Sequence, residues 1–211
     1  MEKVTFLFKV KRRIYLTCIK IKELILDFYF AKNFLGGTYD SPFRKEGLYG
    51  TQSTDYRALK EIFKFIDLNG FNSFADIGCG KGRVIYYLLK KGFKGKIIGI
   101  DANKKFAFPL KARLQKRKNV DIIIEKVTDS VPSADVYYLF NPFDREHIRS
   151  FKKAAELAAK KEIIVIYCFD LYGDEFFDWE LLGQMTVERK YQKPYHISYF
   201  KFNPKENNWY E

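Results

Sequence analysis

The sequence predicts an α/β fold: a doubly wound, mostly parallel, seven-stranded sheet finished by an antiparallel C-terminal hairpin and preceded by an amphipathic helix. Three observations carry this prediction. From Leu48 onward, short apolar runs alternate with stretches of helical periodicity. The runs are almost continuously Val, Ile, Leu or aromatic, as strands covered on both faces are. The last two runs are separated only by a polar turn that contains a proline.

The elements follow in order. Thr54 or Asp55 can cap a helix that carries Leu59, Ile62, Phe63 and Ile66 and stops at Asn69-Gly70. A strand over Phe74–Ile77 leads into a glycine loop, then into a helix carrying Val84, Ile85, Leu88 and Leu89 that closes at Lys91-Gly92. The strand "KIIGID" precedes a helix from Asn103 to near Lys116. Strands are then predicted over Val120–Ile124 and Ala134–Phe140, a helix over Arg145–Lys160, and a fifth strand at "EIIVIYC". "QMTVERKY" and "HISYFKF", split by Gln192-Lys193-Pro194, complete the sheet as a hairpin. No internal repeat or low-complexity tract interrupts the pattern.

The chain divides into an N-terminal helical extension, residues 1–47, and one α/β domain, residues 48–211. In the extension, Leu7, Val10, Ile14, Cys18, Ile21, Ile25 and Phe28 form one stripe at helical spacing, with Lys9, Arg13, Lys20, Glu23 and Asp27 opposite. The helix is expected to end near Gly36-Gly37. Lys9, Lys20, Lys22 and Asp27 cut its apolar runs, which excludes a spanning helix and a signal peptide. Such a stripe either packs on the domain or a second subunit, or lies peripherally on an anionic membrane surface.

The 211 residues, 47% hydrophobic and 18% aromatic, are enough to bury a core and exclude a disordered chain. The net charge of +12 suits a phosphate-bearing or anionic-lipid partner, although a lysine-rich composition gives the same balance without one. Cys18, Cys79 and Cys168 are widely spaced, with no C-x-x-C and two histidines in the chain. That disfavours a disulfide framework or a zinc site and suits a reducing, cytoplasmic setting. No metal site is expected, and no Ser-His-Asp or paired-carboxylate arrangement stands out.

The chemistry concentrates in "FADIGCGKGRV", Phe74 to Val84. Glycines at 78, 80 and 82 allow a sharp strand-to-helix turn and let a ligand approach the backbone without meeting a Cβ. Several cofactor families share that geometry. A phosphate-binding loop needs G-x-x-x-x-G-K-[ST], and Gly82 is followed by Arg83 and Val84. A dinucleotide fingerprint needs a third glycine where Arg83 stands. Asp76, two residues before the first glycine, would repel a pyrophosphate but can pair with an ammonium. Asp101, at the end of the next strand, can accept both hydroxyls of a ribose. An ammonium, a ribose and no phosphate describe S-adenosylmethionine.

With these residues the sequence resembles the class I S-adenosylmethionine-dependent methyltransferases. "FADIGCGKGRV" matches the cofactor loop, "IIGID" the ribose acid, and "VYYLFNPF" the fourth strand and its end. "STDYRAL" before the loop and "LFNPF" after it are similar to a bacterial group, mostly of unassigned substrate, with a threonine-x-tyrosine segment. The resemblance covers Leu48 to Cys168 and implies a Rossmann-like fold and S-adenosylmethionine as cofactor. It implies that Gly78, Gly80 and Gly82 back the methionine moiety, with Asp76 near its ammonium, Asp101 on the ribose, and Thr54 and Tyr56 closing over the methionine end. Read from the residues alone, Thr54 is a helix cap and Tyr56 a core aromatic. The acid that reads the adenine amine is not evident: Glu125 and Asp129 lie near its slot, which Lys126 occupies.

Asn141, Pro142 and Phe143 end the fourth strand, beside the expected methyl position. They resemble the asparagine-proline-proline-aromatic motif of amine and amide methyltransferases. There the side-chain oxygen and a backbone carbonyl accept hydrogen bonds from the target nitrogen, and the aromatic stacks on it. One proline is missing and the aromatic comes a position early, so a strand-ending turn explains the segment as well. Lys81 and Arg83 are candidates for the cofactor carboxylate or an anionic acceptor, and His196 is a lone strand histidine. Tyr86, Tyr87, Phe176, Phe177 and Trp179 read as packing residues. The function expected is transfer of a methyl group to an amine on a protein or small molecule, with RNA methylation as one alternative and a noncatalytic, membrane-associated binding protein as another.

Overall fold

The N-terminal segment forms one long helix, α1 (Phe6–Ala31), which ends where Lys32 adopts a left-handed backbone, φ 55°, and donates its N–H to the Phe28 carbonyl at 3.1 Å. A two-residue ribbon follows, β1 (Thr38–Tyr39) paired with β2 (Thr51–Gln52). The domain then runs α2 (Tyr56–Phe65), β3 (Ser73–Ile77), α3 (Arg83–Lys91), β4 (Lys96–Ile100), α4 (Lys104–Leu114), β5 (Val120–Ile123), β6 (Val136–Phe140), α5 (Arg145–Ala158), β7 (Ile163–Cys168), β8 (Glu180–Val187) and β9 (Tyr195–Phe202). The structure, a computed structural model, describes residues 6–127 and 130–204.

The sheet order is β5-β4-β3-β6-β7-β9-β8, parallel from β5 to β7 and antiparallel in β9 and β8. This is the predicted seven-stranded, Rossmann-like arrangement. Each central strand alternates between two cores. Phe74, Val136, Tyr138 and Ile166 face the side covered by α2, α3 and α4, whereas Ala75, Tyr137, Leu139 and Val165 face α5. The chain winds outward from β3 to β5, then returns to β6 on the other side of β3. The switch point therefore lies between β3 and β6, where an open sheet of this kind binds ligands.

One of the two expected caps of α2 is used, and both ends of β8 shift. Asp55, not Thr54, caps α2: its carboxylate accepts the Ala58 N–H at 2.8 Å, and Thr54 turns inward to the Tyr138 hydroxyl at 2.5 Å. The strand β8 begins at Glu180 rather than Gln184, because a bulge between Leu181 and Gly183 keeps the earlier residues in register with β9. It also ends at Val187, short of the left-handed turn at Tyr191, φ 66°. The ribbon β1–β2 has no periodicity to announce it, since two residues make no pattern.

The helix α1 docks with the opposite face from the one its hydrophobicity suggests. Its most deeply buried residue is Asp27, 0% exposed, whereas Leu7, Ile14, Ile21, Ile25 and Phe28 of the apolar stripe all point to solvent. The cause is Arg83, at the first position of α3. Its Nη1 bonds Glu23 at 2.6 Å and the Thr54 carbonyl at 2.9 Å, and its Nη2 lies 2.9 and 3.0 Å from the two Asp27 oxygens. Asp27 also accepts the Tyr56 hydroxyl and the N–H groups of Leu35 and Gly36. A guanidinium that enters the core at a helix N-terminus, where the helix dipole opposes it, needs such partners. Around this pair, Phe30 stacks on Tyr56 and Tyr87, and Phe8 and Tyr15 meet Tyr191 at the tip of the β8–β9 hairpin.

Gly82 opens α3 with φ +82°, and a Cβ there would come within 2.6 Å of the buried Leu110 side chain of α4. Gly82→Ala is therefore expected to destabilise the fold by ~1–3 kcal/mol, from left-handed strain plus overpacking. Urea unfolding of the two proteins measures it.

Candidate active site

The loop after β3 is tied to the end of β4. The N–H groups of Gly78 and Cys79 donate to the Ile100 carbonyl at 2.8 and 2.9 Å, and that of Gly82 donates to the Cys79 carbonyl at 2.8 Å. Gly78 and Gly80 also have left-handed backbones, φ +78° and +52°. A Cβ on Gly78 would meet Pro142 at 3.1 Å and one on Gly80 would meet Thr51 at 2.5 Å, so the bare backbone is needed on both sides of the loop.

Two carboxylates stand beside this loop. Asp101 accepts the Gly80 N–H and the Asn103 N–H, each at 2.7 Å. Burial raises its pKa, and the two N–H bonds oppose that rise. Asp76, in β3, is 3% exposed, and its Oδ2 has no hydrogen-bond partner. Burial, and then the Asp101 charge, push its carboxyl up to about 8. A buried carboxyl with an unmet oxygen beside a glycine loop is a site for a cation or a hydrogen-bond donor.

The cleft at the switch point is lined by Gly78, Asp101, Asn103, Glu125, Pro142 and Phe143, among others, and is crossed by the segment from Ser41 to Gln52. That strap is pinned to the end of β6: the Tyr49 N–H donates to the Pro142 carbonyl at 2.8 Å, and the Asp144 N–H to the Gly47 carbonyl at 2.9 Å. The enclosed part of the cleft is about 60 Å³. Tyr49 reaches the Tyr172 hydroxyl at 2.8 Å, and this bond with burial raises its pKa to about 12.

The structure gathers some of the predicted residues and not others. Gly78, Asp101, Pro142 and Phe143 line the cleft; Gly80 is tied to Asp101 by its N–H, and Asp76 is buried close enough to Asp101 to feel its charge. Asn141 stands next to Pro142 with φ 38° and its side-chain oxygen held by the Tyr167 hydroxyl at 3.1 Å. Gly82 faces Leu110 instead of the cleft. Thr54 and Tyr56 lie behind the loop in the network of Tyr138, Asp27 and Arg83. Arg83 is consumed by α1, and Lys81 is caged by the Gly36 carbonyl, the Tyr39 hydroxyl and the Phe34 ring, so neither faces the cleft. Lys126 pairs with Glu46 over the Phe43 ring, and Glu125 lies on the cleft wall. Asp129 lies outside the described residues. His196 meets Thr186 on the exposed face of the hairpin.

Sequence reasoning missed the strap and its Tyr49, which carries no motif. It also missed the partner of Arg83. Asp27 inside "LILDFYF", an acid in an apolar run, was the available signal.

Residues 74–161 match the family described as a methyltransferase domain. Residues 74–161 carry a methyltransferase domain. Solved structures share its fold. An S-adenosylmethionine-dependent O-methyltransferase from Thermotoga maritima aligns with a TM-score of 0.55 and 14% identity, over 71% of this chain and 66% of that one. The StiE O-MT segment gives 0.57 and 12%, over 84% and 81%. The N-methyltransferase NodS from Bradyrhizobium japonicum gives 0.54 and 12%, over 78% and 98%. No curated protein matches the sequence.

The residues present fit S-adenosylmethionine, the cofactor that the sequence resemblance implies. The unmet oxygen of Asp76 suits the α-ammonium, and the glycine cradle, which a Cβ would obstruct, suits the methionine moiety. Asp101, each of whose oxygens keeps a free lone pair, suits the ribose hydroxyls.

Asp101→Ala is expected to weaken S-adenosylhomocysteine binding roughly 10- to 100-fold by calorimetry; unchanged affinity would remove Asp101 from the ribose. A second outcome follows from Asp76. In the free protein its carboxyl is neutral below about 8, and an ammonium partner favours the carboxylate, so binding expels a proton. Affinity is expected to rise with pH up to that value, and the heat of binding measured at neutral pH to depend on the ionisation enthalpy of the buffer.

Proposed function

We propose that this methyltransferase acts on a nitrogen of an amine, on a small molecule or a protein side chain, and that Asn141 positions that nitrogen. The observation that carries the reading is the left-handed backbone of Asn141, φ 38°, with its side chain held by Tyr167 at the end of β6. Non-glycine residues with left-handed backbone cluster at functional sites, and Asn141 stands at the switch point. The Tyr167 hydroxyl donates to one lone pair of the Asn141 oxygen and fixes its direction, which leaves the second to accept an N–H.

S-adenosylmethionine supplies a methyl group already activated by its sulfonium. The protein's part is to orient the acceptor, exclude water and let a proton leave. Phe143 and Pro142 form an apolar wall at the cleft, and the strap from Ser41 to Gln52 covers it from solvent. Tyr49, raised to about 12, stays protonated and is a hydrogen-bond donor, not a base. Attack on the methyl needs the lone pair of the neutral amine, so turnover is expected to rise with pH toward the amine's own pKa.

A second cavity, about 710 Å³, lies under α1 between α2 and the β8–β9 hairpin and shares Gln52 and Phe140 with the cofactor cleft. Its size and its mix of aromatic and charged walls support a small molecule or an extended side chain as the acceptor. The three unpaired thiols support a cytoplasmic setting.

The test is transfer of a radiolabelled methyl group to cell extract separated into protein, RNA and small-molecule fractions. Label in the protein or small-molecule fraction, stable to mild alkali as an N-methyl group is, is the expected result. Label confined to RNA would replace this reading. Asn141→Ala is expected to leave S-adenosylhomocysteine affinity within about twofold and to lower turnover ~100-fold.

A further inference from the structure

We propose that α1 is an in-plane anchor for an anionic lipid surface. The helix is 26 residues long, about 39 Å at 1.5 Å per residue. One side of it is already used: Glu23, Leu26, Asp27 and Phe30 pack on the domain, and Phe8 and Tyr15 touch the hairpin tip. At 100° per residue the opposite side carries Leu7, Ile14, Ile21, Ile25 and Phe28, each more than half exposed, with Ile25 at 63%. An apolar strip of this length facing water on a folded domain marks an interaction surface.

The charges select the partner. Six residues of α1 are basic, Lys9, Lys11, Arg12, Arg13, Lys20 and Lys22, and its two acids, Glu23 and Asp27, are both turned inward onto Arg83. The solvent side of the helix therefore carries no compensating carboxylate. Lys11 and Lys22 border one edge of the apolar strip, and Arg13 and Lys20 the other. That is the distribution of a helix lying at a lipid headgroup boundary, with its apolar side in the acyl region and its cations at the level of the phosphates. A second copy packed on the same strip would bring two sets of these cations together, which repulsion opposes. Among the described residues no helix is long and apolar enough to cross a membrane, so the contact is one of lying on the surface.

The experiment is flotation of the full chain with vesicles of phosphatidylcholine alone and with about one-third phosphatidylserine, beside the variant I14S/I21S/I25S and the variant K11E/K22E. All five positions are exposed, so both variants should fold, which thermal melting by circular dichroism checks. The wild-type chain is expected to float with the phosphatidylserine vesicles and not with phosphatidylcholine, and to be released by high salt. Each variant is expected to lose ~10-fold or more in vesicle affinity while it keeps S-adenosylhomocysteine binding. Failure of the folded wild-type chain to float with anionic vesicles would overturn the proposal. So would equal flotation of wild type and variants, or a dimer in sedimentation velocity that the serine variant abolishes without any vesicle binding by the wild type.

Discussion

A guanidinium enclosed between two carboxylates sets much of this molecule's geometry. Arg83 stands at the start of α3, directly after the cofactor loop, where a cation is disfavoured by the helix dipole and by burial. Glu23 and Asp27 of α1, with the Thr54 carbonyl, bind its two Nη groups from the far side, while its buried Nε has no partner. Tyr56 joins through its hydroxyl to Asp27 and through its ring beneath the guanidinium. The N-terminal helix, the segment before α2 and the first turn of α3 are thus held to one point. The same contact rotates α1 so that its acids face in and its apolar strip faces out.

A division of charge follows at the loop. The cations next to the glycines, Lys81 and Arg83, are both withdrawn, one into an aromatic cage and the other under α1. The carboxylates are left: Asp101, engaged with the loop N–H groups, and Asp76, buried with an unmet oxygen. A loop whose neighbouring cations are withdrawn and whose carboxylates remain suits a ligand that is cationic where it is most enclosed. This matches S-adenosylmethionine and disfavours phosphate ligands. Burial raises the Asp76 carboxyl, and its unmet oxygen suits a cationic partner.

The sheet was legible because its strands are fully buried on both faces, so that "FADI", "KIIGI" and "EIIVIYC" stand out as apolar runs bounded by turns. The two carboxylates beside the glycine loop were legible for a related reason: a carboxylate inside or at the end of such a run has to be explained, and the structure places Asp76 buried and Asp101 on the loop N–H. Asp27 posed the same question inside α1. Helical periodicity placed it on the solvent side, since the stripe of Leu7 to Phe28 has the larger apolar area. Tertiary pairing with Arg83 overrode that preference, and no local pattern announces a partner 56 residues away. The strap from Ser41 to Gln52 was not visible either, because it is held by backbone hydrogen bonds to the end of β6, to which side-chain identity contributes little. Thr54 and Tyr56 show the limit of a shared motif: the residues are present, and in this structure their side chains hold the loop from behind.

The most direct measurement of this account is a double-mutant cycle on the Arg83–Asp27 pair, with Arg83→Met, Asp27→Asn and the double variant unfolded in urea. Removing Arg83 alone leaves Asp27 buried and uncompensated and should cost ~3–5 kcal/mol. The double variant should be less destabilised than the sum of the two singles by ~1.5–3 kcal/mol. If instead the two effects add to within about 0.5 kcal/mol, the pair does not hold α1 to the cofactor loop, and the outward orientation of the helix needs another cause.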